Sequence, residues 1–211
     1  MIRKKESIPY IVVNKEVLFR AERRKKNITK HAEIKKLRSL ERVCIENSWA
    51  AELIDQLIKE ENIQVELKES LMKNANRRKI VVYTDGSLQR EDTQQKMGYS
   101  IVQIDEQNNI VCSHRGKLEK WFSSTRAELA ACLIAVLIAP NESVVEICTD
   151  SSYAIVAISE SLKNESIRHW LKVKNNSILR AIVKACRSKK VQLELIKVKA
   201  YSGDIYNNIA D

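Results

Sequence analysis

Four acidic residues stand where a charge is costly. Asp85 closes the apolar run Ile80-Val81-Val82-Tyr83-Thr84, and Asp150 closes Val144-Val145-Glu146-Ile147-Cys148-Thr149. Glu128 is flanked by Ala127, Leu129 and Ala130 in an otherwise apolar stretch, and Asp211 follows Ile209-Ala210. Adjacent strand ends would bring Asp85 and Asp150 within several ångströms of each other. Carboxylates gathered this way repel one another and take up protons unless divalent cations neutralise them. Hard oxygen ligands suit Mg²⁺ or Mn²⁺. Two such ions about 4 Å apart can clamp a scissile phosphate, one activating water and the other stabilising the leaving oxygen. Taken singly, each acid has an ordinary explanation, since Asp in Asp-Gly-Ser is a common turn former. The case rests on their joint order and context.

The elements that must position these acids begin after residue 78. Lys79 to Thr84 reads as a β-rich run, with Asp85-Gly86-Ser87 as a turn after it. Tyr99 to Ile104 and Ile110 to Arg115 read as two more strands, separated by the turn sequence Asp105 to Asn109, so the three form an antiparallel meander. Ser123-Ser124 precedes a long apolar helix, Arg126 to Ile138, which Pro140-Asn141 ends. Ser143 to Cys148 is a fourth strand. Helices over Tyr153 to Leu162 and Asn175 to Arg187 follow, then a fifth strand from Val191 to Val198. The order β-β-β-α-β-α-α-β describes an α/β domain, a mixed five-stranded sheet with flanking helices.

Residues 1–78 have a different texture. Ile11-Val12-Val13 is a β-branched cluster, either a short strand or an apolar anchor. Ile34, Leu37, Leu40 and Val43 make a narrow helical stripe. Ser48 caps a second helix bearing Leu53, Ile54, Leu57 and Ile58 on one face, and Gln64 to Met72 is a third. Asn74-Ala75-Asn76-Arg77-Arg78 breaks the pattern, which places the domain boundary at 78. The expected organisation is a basic, mostly helical or partly disordered region over 1–78 and the mixed-sheet domain over 79–211.

The residues around the acids resemble a known family. Tyr83-Thr84-Asp85-Gly86-Ser87, Ser123-Ser124-Thr125-Arg126-Ala127-Glu128-Leu129 and Cys148-Thr149-Asp150-Ser151-Ser152-Tyr153 look like three successive signatures of type 1 ribonucleases H. The tail from Val198 through Asn207-Asn208-Ile209-Ala210-Asp211 is similar to the fourth. The resemblance implies a ribonuclease H-like fold over about 79–211, and Asp85, Glu128, Asp150 and Asp211 as catalytic carboxylates holding two Mg²⁺ or Mn²⁺ ions. It implies hydrolysis of the RNA strand of an RNA–DNA hybrid. Ser124, Thr125 and Ser152 match positions that contact the substrate, and Trp170 and Lys172 lie in the region that grips the DNA strand in many members. Trp170 also has the character of a core residue, and Lys172 that of a solvated one.

Two departures bear on rate. The family usually carries His after Val-Lys-Ala, where this chain has Tyr201. A phenol with a pKa of about 10 is a poor proton carrier at neutral pH, and general acid–base help is worth roughly 10²–10⁴-fold. The chain also stops at Asp211, where relatives continue into a helix, so the expected domain is truncated. Slowed turnover is the expectation; a non-catalytic hybrid-binding module is the alternative.

Charge and composition fit a nucleic-acid partner. The net charge is +10, and residues 1–42 hold 14 Lys/Arg against five Glu. A surplus of this size favours a polyanion through counterion release, and a solvated or linker tail accounts for the charge equally well. No apolar run is long enough for a membrane span or a secretory signal, which makes an intracellular protein the expectation. The five cysteines are scattered and never paired as C-x-x-C; buried free thiols are the simple reading. Nothing in the sequence identifies a protein partner.

Overall fold

The computed structural model describes residues 49–91, 94–164, 166–199 and 205–210, with the side chains of 91, 94, 205, 207 and 208 excepted. The chain divides into two units, Met1–Trp49 and Ala50–Asp211. The expectations for residues 1–48, including the Ile11-Val12-Val13 cluster and the stripe from Ile34 to Val43, lie outside the described residues, as do Ser48, Tyr201 and Asp211.

The second unit begins with helix α1 (residues 50–57) and α2 (Glu61–Asn74). Five strands follow: β1 (Lys79–Glu91), β2 (Gln94–Ile104), β3 (Ile110–Leu118), β4 (Val144–Thr149) and β5 (Gln192–Lys197). Helix α3 (Ser124–Leu137) joins β3 to β4. Three helices lie between β4 and β5: α4 (Ser152–Lys163), α5 (Ile167–Lys172) and α6 (Asn176–Lys189). A short α7 (Ile205–Ala210) comes last. The sheet order is β3-β2-β1-β4-β5. The first three strands pair antiparallel as a meander, while β4 and β5 run parallel to β1. This is the mixed five-stranded sheet that the patterning predicts.

Parallel strands must be joined by crossovers, and crossover helices bury what they cover. Helix α3 is the centre of that layer. From Ala127 to Leu137 it is buried on every side except at Glu128, packed with Ile80, Val82 and Ile101 of the sheet and with Leu179 and Ile182 of α6. A helix that is apolar all round belongs in a core. On the other face, Val81, Tyr83, Val102 and Ile104 meet Tyr206 and Ala210 of α7, and the Tyr206 hydroxyl donates to the Asn108 carbonyl at 2.6 Å. Cys132, Cys148 and Cys186 are buried free thiols and Cys112 is half-buried, as expected; Cys44 lies outside the described residues.

The second unit, which starts at Ala50, takes in α1 and α2 as well as the sheet: their Leu53, Ile54, Leu67 and Leu71 belong to the same core. Helix α2 ends at Asn74, where the sequence pattern breaks. Asn74 is fully buried: it exchanges side-chain amide hydrogen bonds with Gln103 at 2.9 and 2.7 Å and donates to the Ile138 carbonyl at 3.0 Å. Two local readings need correction. The first concerns Asp85-Gly86-Ser87. These residues make no turn; β1 continues through them, paired with Ser100, Tyr99 and Gly98 of β2. The second is α5, six residues long, whose Ser166 cap accepts from the His169 amide; the sequence pattern gave no helix there.

Candidate active site

Parallel register decides which side chains meet at the end of the sheet. β1 and β4 pair in step as far as Thr84 opposite Thr149. Both threonines are fully buried, so Asp85 and Asp150 are the next residues, side by side where cover gives out. Gly86 then explains how Glu128 reaches them. A Cβ built on Gly86 would lie 2.2 Å from the Glu128 backbone nitrogen and 2.4 Å from the Ala127 carbonyl carbon. Any side chain there would drive β1 away from the first turns of α3. Glycine permits the close approach, and the approach carries Glu128 to the strand ends.

Asp85, Glu128 and Asp150 each offer a carboxylate oxygen, and these oxygens lie within 4.8 Å of one another. All three residues are half-buried. Burial, then the neighbouring Asp85 and Asp150 charges, push the Glu128 carboxyl up to about 8, opposed by Lys197. Its Oε2 is buried with no hydrogen-bond partner among the described residues. A buried, unpaired carboxylate oxygen carries a desolvation penalty with nothing to offset it. A hard divalent cation would remove that penalty and the mutual repulsion together. The donor set therefore fits a Mg²⁺- or Mn²⁺-type ion.

The surrounding backbone is arranged for anions. Arg126 in the first turn of α3 reaches Ser177 in the first turn of α6 at 3.5 Å, while Lys189 at the end of α6 donates to Val136 and Leu137 at the end of α3, at 3.1 and 2.7 Å. The two helices thus run parallel, with both N-termini at the carboxylate end. α4 starts directly after Asp150, with Ser151 Oγ accepting from the Ala154 amide. Three positive helix ends converge there. Lys197, last residue of β5, donates to the Asp150 carbonyl.

The remaining predicted positions distribute unevenly. Ser124 is exposed and Thr125 half-buried in the first turn of α3, and Ser152 is exposed at the start of α4, all beside the acids in sequence. Trp170 on α5 is half-buried against the core, with Arg180 5.1 Å over its ring and the His169 ring edge-on at 5.1 Å; Lys172 is exposed two residues on. Trp170 therefore has the core character that was one of its two expected readings. Asp85 also lines a cleft of about 550 Å³ whose walls include Ser87, Ser100, Arg115, Lys117 and Ala210. Sequence reasoning missed Lys197 and the packing role of Gly86. Only the register Thr149 opposite Lys197 places the former; the latter hid in a signal that reads equally as a turn.

With this geometry in hand, the comparisons with known proteins agree. The sequence model of the RNase H family matches residues 77–211. Among solved structures, the foamy viral protease-reverse transcriptase in complex with RNA/DNA hybrid is 22% identical, covering 63% of this chain and 19% of that one, with a TM-score of 0.50. The native prototype foamy virus protease-reverse transcriptase is 21% identical over 63% of this chain and 20% of that one, with a TM-score of 0.51. The chain thus spans about one fifth of the length of these proteins, and the likeness establishes the fold. Comparison with curated protein sequences returns no match. No helix among the described residues is long and apolar enough to cross a membrane. The signatures, the sheet order and the family match over 77–211 lead to one statement: this chain belongs to the RNase H family.

Proposed function

We propose that the chain hydrolyses the RNA strand of RNA–DNA hybrids in a metal-dependent reaction, with Asp85, Glu128 and Asp150 as metal ligands. The observation that carries the reading is the clustering of three carboxylates with oxygens within 4.8 Å of one another, one of them with a buried oxygen unpaired among the described residues. Asp211 is the fourth ligand in this reading; it follows Ala210, which lines the same cleft as Asp85. Two bound Mg²⁺ or Mn²⁺ ions would supply Lewis acidity at the scissile phosphate and a nucleophilic water. The chain's own residues do the rest. Asp85 and Asp150 hold fixed positions because the threonines before them are locked in paired strands, and Glu128 is held by the Gly86 contact. Ser124, Thr125 and Ser152 bind the hybrid beside the scissile bond, and the three helix N-termini favour its phosphates. Trp170 and Lys172 hold the DNA strand farther along. Tyr201, in place of the family His, makes proton transfer and turnover slow.

The test is cleavage of a hybrid labelled in its RNA strand, with Mg²⁺ or Mn²⁺. The expected result is cutting of the RNA strand alone, leaving a 3′-hydroxyl and a 5′-phosphate, and its loss in Asp85→Asn. Binding without cleavage, unchanged by Asp85→Asn, makes the chain a non-catalytic binding module instead.

A further inference from the structure

One feature at the carboxylate end is used by neither the fold nor the acid cluster. Trp121, in the loop between β3 and α3, is 73% exposed, and its backbone adopts a positive φ of 53°. A bulky residue in that conformation is an outlier with a cost. An indole this exposed also gains little from burial to offset that cost. The strain therefore buys no packing. What it does achieve is placement: the ring lies against the Arg126 guanidinium, 4.9 Å from carbon to ring centroid. Arg126 is itself tied to Ser177 of α6, so the cation is fixed between two helix N-termini.

From this placement we infer that Trp121, backed by Arg126, is a stacking platform for a nucleotide of the bound nucleic acid, beyond the contacts made at the acid cluster. The inference rests on the hybrid-binding reading above. Three observations support it. Trp121 is two residues before Ser123, the cap of α3, and seven before Glu128, so it sits at the end of the molecule where phosphates are favoured. One aromatic face is committed to a cation and most of the ring remains open to solvent, the geometry of a platform rather than of a core residue. Its neighbour Phe122, also exposed, lines a second cleft of about 480 Å³ together with Ser87, Lys96 and Lys117, which continues the surface toward Asp85. The chemistry recognised is the flat, weakly polar face of a nucleotide, either an unstacked base or a sugar ring.

The experiment measures hybrid affinity by fluorescence anisotropy, using the full chain with Asp150→Asn to keep the substrate intact. Trp121→Ala and Trp121→Leu are compared with the parent, and Trp121→Phe serves as the aromatic control. Aromatic stacking on nucleotides predicts a loss of roughly 5- to 150-fold for Ala and Leu, retention of most affinity by Phe, and unchanged thermal melting in all three. Blunt hybrids and hybrids with a single-stranded extension form separate arms. A loss on both assigns the contact to a sugar within the duplex; a loss confined to the extended hybrid assigns it to an unstacked base. Equal affinity of parent, Ala and Leu variants in both arms overturns the platform while leaving the nuclease reading intact. If neither this parent nor the wild-type protein binds hybrid, the nuclease reading fails and the platform falls with it.

Discussion

The two ends of helix α3 treat buried polar groups in opposite ways. At its C-terminal end every demanding group named above has a partner: Asn74 with Gln103 and the Ile138 carbonyl, Lys189 with two carbonyls, and Ser143 with the Pro140 carbonyl at 2.7 Å. At its N-terminal end three carboxylates crowd together, and Glu128 keeps a buried oxygen without a partner among the described residues. The two ends share one helix and one sheet, so packing quality does not separate them. Satisfied groups hold the fold; unsatisfied ones wait for a ligand. Substitutions should therefore cost stability at one end and turnover at the other.

The largest effect is expected at the acids. Asp85→Asn, Glu128→Gln or Asp150→Asn should lower hybrid cleavage by at least about 10²–10³-fold, the scale of losing one preorganised electrostatic partner. Each should leave the thermal midpoint of the metal-free protein unchanged or raised, since one repelling charge is gone. A substitution of one of these three acids that lost stability and activity in parallel would erase the contrast between the ends. Gly86→Ala comes next. Its methyl would sit on the α3 backbone, so a cost at or above about 1–3 kcal/mol is expected from overpacking, with cleavage impaired in the folded fraction. Denaturant titration and activity on the same sample check both. Asn74→Ala should cost about 1–3 kcal/mol by orphaning Gln103 and the Ile138 carbonyl, yet leave turnover per folded molecule as it was.

The smallest effects are slopes with pH, and they should differ in sign between the ends. The Glu128 carboxyl is raised to about 8 from 4.5, so the folded metal-free protein binds the extra proton. Its contribution to stability is full below pH 4.5 and is lost as pH rises to about 8. Lys189 is brought down to about 7 from 10.5 by burial, so there the unfolded chain binds the extra proton. Its contribution is full above pH 10.5 and is lost as pH falls to about 7. Urea midpoints across pH should show the first slope vanish in Glu128→Gln and the second in Lys189→Met. Slopes that persist in these variants would assign them to other groups.

Much of the acid end was legible in the sequence. Asp85 and Asp150 each follow a strand whose β-branched, apolar texture is unmistakable, and Glu128 is the lone charge in an apolar helix. Those signals are local, so the sequence carries them. The errors came where a local signal competes with a distant partner. Asn74 does end α2, but its burial depends on hydrogen bonds with Gln103 and Ile138, 29 and 64 residues away. Gly86 looks like a turn glycine until the α3 backbone arrives against it. Trp121 gave no signal at all, because exposure and a positive φ are properties of the folded chain.

The central claim is that the clustered carboxylates Asp85, Glu128 and Asp150 are built to hold divalent cations. Calorimetric titration of Mn²⁺ into the metal-free protein at pH 7, in buffers of different ionisation enthalpy, tests it most directly. With Glu128 raised to about 8 and largely protonated at that pH, binding should be saturable and should release a proton, because a metal ligand must be deprotonated. In Glu128→Gln both the proton release and most of the affinity should disappear. Absence of binding in the wild-type protein, or binding of equal strength and proton count in Glu128→Gln, would contradict the account.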